Sequence, residues 1–169
     1  MLYRQSLKPA SMVAVTAEPS RSIPEIVPAD SIPVQIQQLE AMWKQHPVHA
    51  PIALQLGNLH AEQHNHDEAI KYYRAFLQLD TASDAWEIRL DIAKELYLIG
   101  KTDSSRLELL AISTDHPHHP GVLYNLGALA ANDGDGASAR QFWNKLLTVA
   151  PQTPEAANAR AGLARLGGE

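Results

Sequence analysis

The sequence predicts an all-α chain with an internal tandem repeat, and three observations carry that prediction. From Ser31 onward apolar residues recur at helical spacing, as in Ile36, Leu39 and Trp43. No run shows the strict alternation of a half-buried strand. Residues of like size also recur with one period. Small residues stand at Gly57, Ala93 and Gly127, separated by 36 and 34 residues. The same two intervals separate Ala69, Ser105 and Ala139, the bulky series Tyr73, Leu109 and Trp143, and the turn series Thr81, Pro117 and Pro151. Pro47 lies 34 residues before Thr81. Four series that share one period and one two-residue insertion describe a tandem repeat. The insertion belongs in the turn around residues 80–84, where extra length costs little loop entropy.

The elements follow in order. Residues 1–30 contain Pro9, Pro19, Pro24 and Pro28 and no glycine. Each proline removes a donor and holds its neighbour extended, so no long helix forms there. Two short apolar runs, residues 12–15 and 23–27, are suited to lying along another surface. Basic residues are present but no apolar h-region follows them, which argues against a secretory signal peptide. Two readings stay open for Leu2-Tyr3-Arg4-Gln5: the stub beside a membrane helix, or an ordinary tail. The array occupies residues 31–169. Its leading helix stops before His46-Pro47. Asn65, with Glu68 three residues on, forms a capping-box-like start ahead of Ala69, Ile70, Tyr73, Phe76 and Leu77. Thr102 is placed to cap the helix carrying Leu107, Leu110 and Ala111. Thr153-Pro154-Glu155 gives a cap, a proline at the first helical position and an acid at the positive dipole end. The repeat units are expected at about residues 50–83, 86–119 and 120–153, with a closing helix over 154–167.

Composition narrows the function classes. The 169 residues hold 14 Lys and Arg against 19 Asp and Glu, a net charge of -5. A mildly acidic chain without a basic run is a poor partner for a nucleic-acid backbone. The absence of cysteine excludes disulfides, thiolate metal sites and a thiol nucleophile. No stretch reaches the ~20 apolar residues that cross a bilayer as a helix. Direct membrane insertion is therefore not expected of this chain.

The sharper chemical motifs each have a plainer structural reading. His60 and His64 are four apart on one helix, where they could face one ion, and His116, His118 and His119 form a second cluster. Neither has a full ligand set or an HExxH arrangement, so no metal is expected. Asn132-Asp133-Gly134-Asp135-Gly136 opens like a calcium loop but continues with Ala137 and Ser138, and reads better as an inter-helix turn. No nucleophile elbow or phosphate-cradling loop occurs, so neither catalysis nor a cofactor is expected.

The periodic residues resemble those of the tetratricopeptide repeat family. The clearest unit runs from Pro120 to Thr153 through Leu123, Leu126, Gly127, Gly134, Ala139, Trp143, Leu146 and Pro151. The first shows Leu56, Gly57, Ala69, Tyr73 and Phe76 but has His64 where the turn glycine is expected. The middle unit keeps Gly100 and Pro117 and carries Ala93 and Ser105 at two small-residue positions. The resemblance implies a right-handed superhelical array of about three helix-turn-helix units, with a leading helix and a C-terminal capping helix. It also implies that first-helix residues line a concave groove: Leu54, Asn58 and Glu62, then Leu90, Lys94 and Tyr97, then Tyr124, Asn125 and Ala128. Some members clamp a chain-terminal carboxylate with Lys, Arg and Asn. Here only Asn58 and Asn125 fit, while Leu54 and Tyr124 replace the cations. An apolar, aromatic groove suits an amphipathic helix or an extended apolar peptide; Leu90 and Leu98 alternatively belong to the core.

The implied function is a non-enzymatic protein-interaction module, a scaffold or assembly factor. The alternatives are a permanent subunit of a larger complex, one in a membrane or containing cytochrome included, and a cytochrome c maturation factor. The layout is similar to bacterial membrane-tethered members of the family that aid cytochrome c maturation or envelope assembly. That likeness favours the periplasm or the membrane surface over the cytoplasm, with any tether lying upstream.

Overall fold

The computed structural model describes residues 31–81 and 85–167. Residues 1–30, with both apolar runs and the Leu2-to-Gln5 segment, lie outside the described residues, as do 82–84. The described chain forms eight helices: α1 (Ile32–Gln45), α2 (Ala50–Glu62), α3 (His66–Leu79), α4 (Trp86–Leu98), α5 (Thr102–Asp115), α6 (Pro120–Asn132), α7 (Gly136–Val149) and α8 (Pro154–Leu166). No strand occurs among the described residues. Each helix packs against its neighbours in sequence, and α6 also touches α8, giving a superhelical array of stacked pairs. The α1–α2, α5–α6 and α7–α8 connections each have four residues and α3–α4 has six, which is where the insertion falls.

Three tight turns close the pairs α2–α3, α4–α5 and α6–α7 with the same hydrogen bonds. Asn65 N–H reaches the His60 carbonyl (2.8 Å) and His64 N–H the Ala61 carbonyl (3.0 Å). Lys101 and Gly100 repeat this with Leu96 and Tyr97, and Asp135 and Gly134 with Ala130 and Ala131. These are Schellman ends, which need a left-handed residue just after the helix. Gly100 (φ 76°) and Gly134 (φ 79°) supply it freely, whereas His64 (φ 58°) carries a Cβ there. A Cβ in that region costs about 1–2 kcal/mol, against roughly 0.5–1 kcal/mol of chain entropy for glycine. His64→Gly is therefore expected to raise stability by about 0.5–1 kcal/mol, read from a thermal melt.

Two caps differ from the sequence reading. Asn65 occupies the N-cap of α3 but makes no side-chain cap bond. Glu68, which a capping box would turn back, instead binds Lys71 at 2.5 Å. Thr102 is already the first residue of α5; the N-cap is Lys101, fixed by the turn. Thr153 does cap α8, its hydroxyl accepting from Ala156 N–H at 3.3 Å ahead of Pro154 and Glu155.

The start of α6 uses a histidine. His119 Nδ1 accepts from Val122 N–H at 3.4 Å, which requires that nitrogen to be unprotonated. Its ring lies against Trp86 with centroids 4.5 Å apart. Burial, aided by the charge of His116, holds its pKa below the ordinary 6.5, with Glu155 and Glu87 opposing. The proton thus prefers the unfolded chain. Stability from this cap is complete above about pH 6.5 and is lost as the pH falls through the lower folded value. His119→Ser keeps a cap without the titration, so its stability should decline less than the parent's between pH 7 and 5, a comparison made by urea melts.

The core is a row of four clusters, each shared by successive helices. Ile52, Leu56 and Tyr72 pack with Ile36, Leu39 and Trp43 of α1. Ala69, Ile70 and Tyr73 pack with Ile92 and Leu96. Ala93, Leu109 and Ile112 pack with Val122, Leu126 and Leu129. Leu123, Ala139, Trp143 and Leu146 pack with Ala156 and Ala159 of α8. Nearest-neighbour burial of this kind is what a repeat array needs. In α5 the buried residues are Ser105, Leu109 and Ile112, whereas Leu107 and Leu110, by which the sequence marks that helix as apolar, face outward.

Candidate functional site

The small-to-bulky pairs set the surface between first helices. At Gly57 a Cβ would sit 2.5 Å from the Tyr73 ring, and at Gly127 it would sit 2.4 Å from Trp143 Nε1. Both glycines are therefore places of backbone-to-ring contact. Trp143 also lies against Gly162 of α8, where a Cβ would meet the ring at 2.5 Å. Its Nε1–H donates to the Tyr124 carbonyl at 3.1 Å. The middle pair differs, with Ala93 facing the smaller Leu109, both buried. Ser105, in the small-residue series, donates from its buried hydroxyl to the Ala93 carbonyl at 2.6 Å.

Beside Ala93 and Leu109 a cavity of about 340 Å³ opens between α4 and α6. Lys94, Tyr97, Tyr124, Asn125 and Ala128 form its walls, with Ser105, Leu109 and Leu129 beneath. A second cavity of about 320 Å³ shares Tyr97, Tyr124 and Ala128 and continues to Trp143, Gly162 and Arg165. Asn132 Nδ2 donates to the Tyr97 hydroxyl at 3.0 Å and so joins α6 to α4 along this face. The Tyr124 ring stacks on Trp143 with centroids 6.5 Å apart.

Five of the nine groove residues inferred from the sequence thus meet at one cavity: Lys94, Tyr97, Tyr124, Asn125 and Ala128. Asn58 lines a different depression of about 430 Å³ with Gln35, Gln38, Leu39 and Met42. It also accepts from the Tyr73 hydroxyl at 3.0 Å. Leu54 packs against the cluster of Ala69, Ile70 and Tyr73, and Leu90 against that of Ala93 and Leu109. Glu62 is exposed and lines none of the three cavities. Leu98, offered as core, is 52% exposed. Sequence reasoning did not find Leu109, Gly162 and Arg165 as lining residues. Arg165 was findable by extending the period, since it lies 34 residues after Ala131, itself 34 after Tyr97.

The electrostatics of the face are local. Burial pushes the Asp91 carboxyl up, with Lys94 pulling the other way and Glu95 adding to the rise. Burial, with the Asp91 and Glu95 carboxylates, also holds the Tyr73 hydroxyl far above the ordinary phenol range. The histidine pair does not converge: His60 stacks on Tyr72 at 5.4 Å, and His64 faces His66. Among the described residues no three His, Asp or Glu side chains gather as a metal-ligand set. Asp133 pairs with Arg106 and Asp135 caps α7 through Ser138 N–H at 3.0 Å, so the glycine-rich loop serves as the turn.

Comparison with known proteins agrees with this construction. The tetratricopeptide repeat family model matches residues 35–85 and 54–111. The fold is similar to that of MamA, at 18% identity with a TM-score of 0.64, covering 80% of this chain and 81% of that one. It is similar to YrrB, described as a TPR protein with an unusual peptide-binding site, at 18% identity and TM-score 0.68, over 77% and 66% of the two chains. The first TPR of Spaghetti (RPAP3), solved with the HSP90 peptide SRMEEVD, matches at 18% identity and TM-score 0.59, over 70% and 90%. No curated protein sequence matches the chain. The same glycine-on-ring packing continues beyond the matched residues, through α7 to α8. With its helical period, its stacked pairs and this match over residues 35–111, the chain carries tetratricopeptide repeats and has the fold of that family.

Proposed function

We propose that the chain is a non-enzymatic interaction module that holds a peptide or amphipathic helix on the face lined by α4 and α6, serving as a scaffold or assembly factor. The observation that carries this reading is the pair of joined cavities sharing Tyr97, Tyr124 and Ala128. Half-buried aromatic walls with amides beside them bind apolar side chains and orient the backbone that carries them. Tyr97 is 44% exposed, which leaves apolar surface available to a partner. Peptide binding by YrrB and by the first TPR of Spaghetti supports the reading by analogy of fold. The test is selection of a displayed random nonapeptide library on the immobilised full chain, repeated with Ala128→Arg. The parent should enrich a defined sequence class and the variant should not. Equal enrichment by both, or none by either, would sink the reading.

One observation favours a permanent subunit instead. Leu107 is 68% exposed and Leu110 42% exposed, adjacent on the outer side of α5. Purification from the native host separates the two: a subunit returns its partner at fixed ratio, a client does not.

A further inference from the structure

The middle repeat departs from its neighbours in a way that gives the binding face a chemical preference. In the flanking units glycine lies on an aromatic ring, Gly57 on Tyr73 and Gly127 on Trp143. In the middle unit both partners change together: Ala93 has the Cβ that its counterparts lack, and Leu109 replaces the ring. The cavity of about 340 Å³ opens beside this Ala93–Leu109 pair. Its floor is apolar, and the one hydroxyl there, Ser105, is already bonded to the Ala93 carbonyl. A side chain entering it need supply no hydrogen bond, and a bulky apolar one gains most by doing so.

Charge sets the second requirement. Although the chain carries a net charge of -5, among the described residues the only charged one lining the first cavity is Lys94 and the only one lining the second is Arg165. Lys94 is exposed and interacts with Asp91 one turn earlier on its own helix. Among the described residues no carboxylate lines either cavity. Each cavity thus has one charged side chain on its lining, and in both it is a cation.

Building on the peptide-binding reading above, we propose that the Leu109 cavity is an anchor pocket for one bulky apolar side chain of a peptide that carries Asp or Glu beside that anchor. The anchor sits between Tyr97 and Tyr124 above Leu109, and the neighbouring carboxylate pairs with Lys94. Asn125 is placed on the same wall to hold the peptide backbone. This recognition differs from a clamp on a chain terminus, for which Leu54 and Tyr124 supply no cation.

The test titrates the strongest peptide from the nonapeptide selection, made synthetically with both ends blocked, into the full chain. Enriched peptides should share a bulky apolar residue with Asp or Glu within two or three positions. Ala93→Gly combined with Leu109→Trp copies the third unit and fills the pocket. It should keep the helical spectrum and weaken binding by about tenfold or more. Lys94→Glu should weaken the acidic peptide and strengthen its lysine-substituted counterpart. If the filled double variant does not fold, Ala128→Phe blocks the pocket from the opposite wall. Unchanged affinity in the filled variant, or enrichment of basic peptides, overturns the anchor pocket. Peptides that still require Ala128 but ignore the filled pocket would remove this inference alone, whereas failure to enrich any peptide removes the binding reading with it.

Discussion

Trp143→Ala should lower stability by about 3–5 kcal/mol, the range for deleting a buried tryptophan. The ring is 4% exposed and touches both neighbouring helices, α6 and α8. Gly127 of α6 and Gly162 of α8 lie against opposite parts of it, and its Nε1–H bonds the Tyr124 carbonyl. Truncation leaves a void between two glycines that have no side chains to refill it. The last core cluster, with Ala156 and Ala159, should loosen, so α8 is expected to lose amide protection first. Gly127→Ala is the converse experiment, since its Cβ would lie 2.4 Å from Nε1 and must displace the ring. Overpacking of this kind costs roughly 1–3 kcal/mol. Denaturant melts measure both, and parent-like midpoints would show that the ring is not where this geometry has it.

Removing the histidine of the His66–Glu95 pair should have an effect of similar size. Glu95 is 3% exposed, and His66 Nδ1 lies 2.5 Å from its carboxylate, joining the first helix pair to α4. The residue 34 positions on is Leu129, buried in the core, and the one 36 positions back is Leu59. An acid therefore stands where the repeat otherwise places leucine. His66→Ala strands a buried charge, which costs about 3–5 kcal/mol for a fully enclosed pair and nearer the lower figure here, because the imidazole is partly solvated. Glu95→Leu restores the repeat residue and should be neutral or stabilising. Urea melts at pH 7 decide this. A His66→Ala midpoint within about 0.5 kcal/mol of the parent would mean the pair contributes nothing.

Much of the fold was legible because tight helix packing links distant residues in a fixed order of sizes. Gly57 with Tyr73 and Gly127 with Trp143 can be seen as pairs in the sequence once the period is known. The caps were less legible, because a side chain's partner is settled by competition: Glu68 takes Lys71 and leaves Asn65 without its reciprocal bond. The outward side of α5 was hidden for another reason. Leu107 and Leu110 are as apolar as Leu109, and only the phase set by Ser105 and Ile112 decides which leucine is buried. Five of the nine first-helix positions read from the sequence line one cavity, whereas Leu109 beneath it was not among them. A cavity is missing volume, and Ala93 with Leu109 registers in sequence only as divergence until the backbone spacing around it is known.

The most direct measurement of the central claim, that the surface between α4 and α6 is where a partner binds, is backbone amide shift mapping with the strongest selected nonapeptide. The shifted amides should cluster at Lys94, Tyr97, Tyr124, Asn125 and Ala128, with smaller changes reaching Arg165. Shifts centred instead on Leu107 and Leu110 of α5, with the α4–α6 face unmoved, would contradict it.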